Sequence, residues 1–386
     1  MITKTPLDTD SIPFIWIDSD SRLEQCIQRW IKEPYLIVDT EFERSNTYHA
    51  KAGLIQVAAS GKTYLIDPLA VTSLEPLAQV LSSPDLTIVL HSMSEDIDLL
   101  SHLCNCSISS VFDTQIAAAF LGMGISVGYQ RLVEMVLGVA LDKGETRSDW
   151  LARPLSKKQL HYAAADVHYL EDIYKQLRAK LQESPWLEAV EEECARQVAS
   201  IESVGEQPEF AYLKMRGAWD LSEERQYLLQ QLVVWRDREA IERNIPKSWV
   251  FSDAQLIEAA RTSPTTQGEL FKLPKVKPKS VKRFGAELLR LLSESDKHVP
   301  PGFRVIERPI KGKELEFYKK IKKLVELSSK NAGLDSQLVA GRKQMEAWVI
   351  HFWRERQTTM PELLEGWRGP LLEEGLGDLI KSAIPE

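Results

Sequence analysis

The sequence predicts a mixed α/β domain, a sheet flanked by helices, over residues 11–200, followed by two small all-α domains at 211–294 and 311–385. Three observations carry this expectation. Short runs rich in Ile, Val, Leu and Tyr, punctuated by Gly or Pro, crowd the stretch 12–91. Past residue 200 the strand signal largely disappears. The remainder then repeats itself: "QLIEAA" (255–260) resembles "QMEAW" (344–348), and "RFGAELLRLL" (283–292) resembles "GLGDLIKSA" (375–383).

Taken in order, "PFIWI", "YLIVDTEF", "GLIQVAAS", "KTYLIDP" and, at 86–91, "LTIVLH" read as strands. Helical spacing of apolar residues marks about 20–31, 73–82, 94–103, 114–121, 129–137 and a long helix over about 156–183. "SVGEQPEF" (203–210) reads as a linker, and Pro300-Pro301 separates the two helical repeats.

At 386 residues and 44% hydrophobic, the chain can bury several cores without covalent staples. Cys26, Cys104, Cys106 and Cys194 are too few and too irregular for a disulfide framework, and no His or Cys pair completes a zinc site around Cys104 and Cys106. They read as ordinary thiols in a reducing cytoplasm. The start "MITKTPLDTD" has no signal-peptide pattern, and the longest uncharged run, 114–130, is broken by Gly122, Gly124 and Gly128, so neither secretion nor a membrane span is expected. No obligate protein partner is indicated. The net charge of −8 conceals an asymmetry: residues 1–200 hold 17 basic against 28 acidic side chains, residues 251–350 hold 20 against 12. Local fields, not the average, therefore decide whether nucleic acid binds.

Asp39 and Glu41 end an apolar run, Tyr35-Leu36-Ile37-Val38. On a strand, residues i and i+2 share a face, so both carboxylates project together. Two adjacent acids repel and raise at least one pKa unless a cation compensates, and Mg²⁺ or Mn²⁺ suits oxygen ligands. The alternative is that the strand stops at Val38 and both acids face water. In "HSMSEDIDLL" (91–100), Ser92 or Ser94 can cap a helix whose first turn is crowded by Glu95, Asp96 and Asp98. These acids complement a helix dipole; the same geometry aims Asp96 at the crevice beyond the strand ends. In "HYAAADVHYL" (161–170), Tyr162 and Asp166 lie four apart on one helix face, with small alanines between them. They form either a surface hydrogen bond or part of a site.

Asp-x-Glu on a strand, Asp in a later helix-opening segment and Tyr-x-x-x-Asp on a following helix resemble the three exonuclease motifs of the DEDD superfamily, tyrosine subtype. "DTEF", "GLIQVA", "LIDPL", "LHSMSED", "DTQIAAAF", "SDWLARPL" and "YAAADVHYL" are similar to segments of the bacterial ribonuclease D family. The helical repeats resemble HRDC domains, the second much less typically than the first. The resemblance implies a ribonuclease-H-like fold and two divalent metal ions, Mg²⁺ or Mn²⁺, bound by Asp39, Glu41, Asp96 and Asp166. It also implies that Tyr162 orients the attacking water.

Further candidates have structural alternatives. Phe42 packs on a terminal base or belongs to the core; His91 contacts the scissile phosphate or simply ends a strand. In "TRSDWLARP" (146–154), Arg147, Trp150 and Arg153 hold RNA, or Trp150 anchors the loop. "KLPKVKPKSVKRF" supplies Lys272, Lys275, Lys277, Lys279, Lys282 and Arg283 as phosphate contacts, whereas the matching "WRGPLLEEG" (367–375) has only Arg368. Lysines at 311–323 extend that track or merely solvate a helix. Trp235, Trp249 and Trp348 read as core. The expectation is a metal-dependent 3′→5′ exoribonuclease that trims structured RNA, transfer-RNA precursors among them, and releases nucleoside 5′-monophosphates. A DNA exonuclease on the same fold and a non-catalytic RNA-binding module are the alternatives.

Overall fold

A strand covered on both faces shows no polar alternation. Leu36, Ile37 and Val38 are buried accordingly, near the centre of a six-stranded sheet. The computed structural model describes residues 12–383 apart from 142–143, 146–147, 204–207, 296–297, 358 and 362–363. Its first elements are β1 (Phe14–Ile17), α1 (Asp20–Trp30), β2 (Tyr35–Glu43), β3 (Lys51–Ala59), β4 (Lys62–Ile66), α2 (Glu75–Leu81), β5 (Thr87–Leu90) and α3 (Ser94–Cys104). There follow β6 (Val111–Asp113), α4 (Thr114–Phe120), α5 (Tyr129–Leu137), α6 (Lys157–Gln182) and α7 (Leu187–Glu202). The strand order is β1-β4-β3-β2-β5-β6. β1 pairs parallel with β4, β3 antiparallel with β4, and β2, β5 and β6 run parallel. The mixed sheet is the one expected. β6 is only three residues long, too short for a periodic signal.

The helix α6 begins at a capping box: the Ser156 hydroxyl accepts from the Gln159 amide (3.2 Å), and Gln159 Oε1 accepts from the Ser156 amide (2.9 Å). Just before it, the turn 149–154 is nailed to the sheet. Trp150 is buried, and Arg153 donates to Asp67 (2.8 and 2.6 Å) and to the Gly53 carbonyl (2.7 Å). Trp150 thus anchors the loop, and Arg153 is committed within the protein rather than left for RNA. Burial raises the Asp67 carboxyl, but Arg153 and backbone donors outweigh it and hold the pKa below its ordinary value. A Cβ on Gly53 would lie 2.6 Å from the Trp150 carbonyl oxygen and 2.7 Å from its Cβ. Gly53→Ala is therefore expected to cost about 1–3 kcal/mol, read as a lower urea midpoint at unchanged slope.

The chain forms two compact units. One joins the sheet domain, up to Glu43 and from Ala52 to Glu202, to everything from Ile310 onward. The other comprises Arg44–Lys51 and Ser203–Pro309.

In the second unit, α8 (Glu223–Glu242), α9 (Lys247–Val250), α10 (Asp253–Thr262), α11 (Gln267–Leu270) and α12 (Pro278–Glu294) close over a core that includes Leu232, Phe251, Leu256 and Leu288. Of the linker read at 203–210, residues 204–207 lie outside the described residues, and Pro208–Lys214 is a 3₁₀ helix that buries Tyr212. Trp235 is core, but Trp249 is 41% exposed, against expectation. The reason is local: α9 is a single turn whose inward positions are filled by the buried Val250 and Phe251. Lys272, Lys275, Lys277, Lys279, Lys282 and Arg283 are all exposed, around the start of α12.

In the first unit, the later helices are α13 (Lys313–Ala332), α14 (Ser336–Val339), α15 (Arg342–Val349) and α16 (Gly369–Ala383). Phe317, Ile321 and Val325 line the inner face of α13 and leave Lys319, Lys320, Lys322 and Lys323 in solvent; Trp348 is buried. The repeat is visible in matching helix starts. Gln255 accepts from the Ser252 amide (2.9 Å) at α10, and Gln344 accepts from the Gly341 amide (2.6 Å) at α15. Side chains of 310–383 share one continuous apolar core with the sheet domain. Among the described residues no helix is long and apolar enough to cross a membrane.

Candidate active site

Three elements converge at the C-terminal half of β2. The strand supplies Asp39 and Glu41, α6 supplies Tyr162 and Asp166, and α3 approaches with Asp96. One carboxylate oxygen each from Asp39, Glu41 and Asp166 lie within 4.8 Å of one another. Asp96 is not part of that trio. It is 8% exposed, and its Oδ1 accepts a short hydrogen bond from Thr40, the residue between the two strand acids. The charges of Asp96 and Asp166 are both felt at Asp39 and at Glu41.

A cleft of about 710 Å³ opens over the trio, lined also by His91, Tyr129 and Tyr162. Ala163 and Ala164, fully buried, and the nearly buried Ala165 present little bulk between Tyr162 and Asp166. The Tyr129 hydroxyl donates to the Ala165 carbonyl (2.7 Å), one residue before Asp166, and its ring centroid is 5.7 Å from that of His91.

The electrostatics are one-sided. Burial, and after it Asp96, Asp166 and Glu41, push the Asp39 carboxyl well up. Burial, Asp166 and Asp96 bring Glu41 to about 9. Burial brings Asp166 to about 8, although the Tyr162 hydrogen bond favours its ionised form. Asp96 reaches about 7 through burial, partly offset by Thr40. Burial and the neighbouring acids raise both Tyr162 and Tyr129, so these phenols stay protonated near neutrality. Among the described residues no lysine or arginine pairs with any of the four acids. Hard oxygen donors crowded without a counter-charge are a donor set that fits a divalent cation.

The remaining candidates divide. His91 lines the cleft, its Nδ1 2.9 Å from the Thr114 hydroxyl, and burial lowers its pKa. Phe42 is half-buried and is neither in the cleft lining nor in the buried core. Arg147 lies outside the described residues. The six basic side chains at 272–283 belong to the other unit. Neither Ser92 nor Ser94 caps α3; the residue before the helix is Met93, with no side-chain cap, and the Asp113 carboxylate takes the local amides instead. Sequence reasoning missed Thr40 and Tyr129. Thr40 was signalled only by its place between the two acids, and Tyr129 stands in an uncharged run that gives it no polar context.

Comparison with known proteins bears on the whole chain. Residues 14–182 match the 3′-5′ exonuclease family, 225–292 the HRDC domain and 315–376 the ribonuclease D C-terminal HRDC domain. The chain is 34% identical over 367 residues to ribonuclease D of Shewanella sp. (strain ANA-3), covering 95% of this chain and 94% of that protein. With ribonuclease D of Serratia proteamaculans it shares 36% over 371 residues, 95% of this chain and 98% of the relative. The crystal structure of Escherichia coli RNase D, described as an exoribonuclease involved in structured RNA processing, superposes with a TM-score of 0.87 at 34% identity, covering 97% of this chain and 100% of that one. The catalytic core of RRP6 from Trypanosoma brucei gives a TM-score of 0.58 at 25% identity, over 76% of this chain and 82% of that one.

Proposed function

Because the chain belongs to the ribonuclease D family and is a 3′→5′ exoribonuclease, we propose that its acidic site holds two divalent cations, Mg²⁺ or Mn²⁺, and acts on structured RNAs, transfer-RNA precursors among them. The observation that carries the metal assignment is the convergence of Asp39, Glu41 and Asp166 within 4.8 Å without a cationic partner. Asp96, held by Thr40, is the fourth ligand in this reading. When bound, two such cations supply Lewis acidity that acidifies the attacking water and neutralises charge on the leaving 3′-oxygen.

The chain's own residues do the positioning. Tyr162, with its pKa raised, is a poor base at neutral pH, so it orients the water through its hydroxyl while hydrogen-bonded to Asp166. His91, on the cleft wall with its ring fixed by Thr114, faces the reacting phosphate. Hydrolysis at a 3′ end in this arrangement releases nucleoside 5′-monophosphates. Catalysis is assigned to the domain at 11–200. The exposed basic turn of the domain at 211–294 supplies phosphate contacts that carry no sequence choice.

The test is a time course on a structured RNA labelled at its 3′ or its 5′ end, with Mg²⁺, with Mn²⁺ and with EDTA. Mononucleotides released from the 3′ label, and none in EDTA, are expected. An RNA left intact under every metal condition, while matched controls degrade, overturns the reading; a paired DNA oligonucleotide tests the sugar preference. Replacing Lys277, Lys279 and Lys282 together by alanine is expected to weaken RNA binding for all sequences alike. The log–log salt slope should become shallower by roughly 0.7–0.9 per lost phosphate contact, measured by fluorescence anisotropy between low and moderate salt.

A further inference from the structure

The segment "DTQIAAAF" has no role in the chemistry above, yet its first two residues touch the turn that delivers both His91 and Asp96. β5 and β6 run parallel with Leu90 opposite Asp113, so the two strands end side by side. Asp113 is 2% exposed. Its Oδ1 accepts from the amides of Ser92 (3.2 Å), Gln115 (2.7 Å) and Ile116 (3.4 Å), and its Oδ2 accepts from Met93 (2.9 Å). Thr114, fully buried, donates its hydroxyl to the Leu90 carbonyl (3.0 Å) and meets His91 Nδ1 at 2.9 Å. One dipeptide therefore engages every residue from Leu90 to Met93.

That turn needs an external restraint. Ser92 has φ +62°, a left-handed conformation that non-glycine residues seldom adopt. No serine hydroxyl caps the helix that follows. Asp113 also donates its own amide to Cys194 Sγ on α7 (3.3 Å), which ties the clamp to the helix behind it.

We propose that Asp113 and Thr114 are positioning residues of the exonuclease: together they lock the Leu90–Met93 turn so that His91 faces the cleft and α3 presents Asp96 to Thr40. The inference rests on the assignment of Asp96 and His91 to the active site. Serving as the N-cap of α4 does not account for the arrangement. An N-cap needs only Oδ1 on the amides of Gln115 and Ile116, whereas Oδ2 is committed to Met93, outside that helix.

The difference makes the proposal testable. In Asp113→Asn, an amide oxygen kept on α4 and on Ser92 leaves an NH₂ facing the Met93 N–H, so the cap survives while the Met93 end of the turn is released. Thr114→Val preserves shape and removes both hydroxyl contacts, which keeps the test open if the first variant folds poorly. Full-length wild type, both variants and Asp96→Asn are compared by steady-state kinetics on a short RNA, by Mn²⁺ titration calorimetry and by hydrogen exchange of the metal-free proteins. In the clamp variants kcat per folded molecule is expected to fall about tenfold, the scale of one lost buried hydrogen bond. KM should stay within about twofold, Mn²⁺ should bind more weakly, and amides 92–97 should exchange faster. Wild-type kcat, Mn²⁺ affinity and exchange at 92–97 in both variants overturn the clamp. If Asp96→Asn keeps wild-type turnover, the assignment of the site fails instead, and exchange at 92–97 still judges the clamp by itself.

Discussion

Glu41→Gln and Asp166→Asn are expected to abolish nucleotide release and, at pH 8 without metal, to make the protein more resistant to heat than the wild type. The two effects have one cause. In the fold Glu41 is pushed up to about 9 by burial and by Asp166 and Asp96, and Asp166 to about 8 by burial. In the unfolded chain such carboxyls titrate near 4. Between those limits the folded state holds protons that the unfolded state has given up, so metal-free stability falls as pH rises from about 4 towards 9. Removing one charge relieves that repulsion. A bound divalent cation relieves it too, and so should raise the wild-type melting temperature more at pH 8 than at pH 5.

The amide variants lose a ligand, so their metal-induced rise should shrink while kcat drops by roughly a thousandfold or more, the equivalent of several kcal/mol of transition-state stabilisation. Calorimetric melts with EDTA and with Mn²⁺ at both pH values check this. A metal-free melting temperature that does not change between pH 5 and pH 8, or a variant with the full metal shift, would contradict it.

Arg368→Ala is expected to cost about 3 kcal/mol, because it takes from a buried carboxylate one of its two cationic partners. Arg368 is 2% exposed. It donates to Glu193 on α7 (2.9 Å) and to the carbonyls of Val339 (2.9 Å) and Leu338 (3.2 Å). Its guanidinium lies 4.2 Å from the centroid of Trp367, which packs edge-on against Phe120 and accompanies Trp186. The Trp367 amide donates to Glu192 (3.0 Å). Without the guanidinium, Glu193 keeps only Arg196 as cationic partner and two carbonyls lose a donor.

Burial raises the Glu193 carboxyl, but Arg196 and Arg368 outweigh it and hold the pKa below its ordinary value. The pair therefore contributes stability that is present above about pH 4.5, the ordinary glutamate range, and is lost as pH falls through the lowered folded pKa. Urea melts at pH 7 should separate wild type and variant widely, and melts below pH 4 should bring them together. The double change Glu193→Leu with Arg368→Met should recover much of the loss, since apolar replacement removes the under-compensated buried carboxylate. A single variant within about 1 kcal/mol of wild type at pH 7 would show that the pair is dispensable.

Arg368 also separates two kinds of information. By position in the repeat it corresponds to the basic turn at 272–284, yet it is buried against α7 while Lys277 and Lys279 are exposed. In one dimension each segment offers a basic side chain near the start of a helix, with nothing to say which is buried. Only the chain packed against each decides which charge meets water.

The sequence by itself determined the elements whose signal is local. The spacing of two in Asp39 and Glu41, and of four in Tyr162 and Asp166, sets a shared face on a strand and on a helix before any packing is known. The apolar run before Asp39 marks the buried part of β2, which continues to Glu43, and the apolar spacing from about 156 marks where the long helix begins. The tertiary structure alone decided that Thr40 holds Asp96 across 56 positions, that Asp113 rather than a serine secures the turn before α3, and that Trp249 stands in solvent. Each depends on partners far away in sequence, and a residue's type constrains which bonds it can make without saying which distant atoms will be brought within reach to make them.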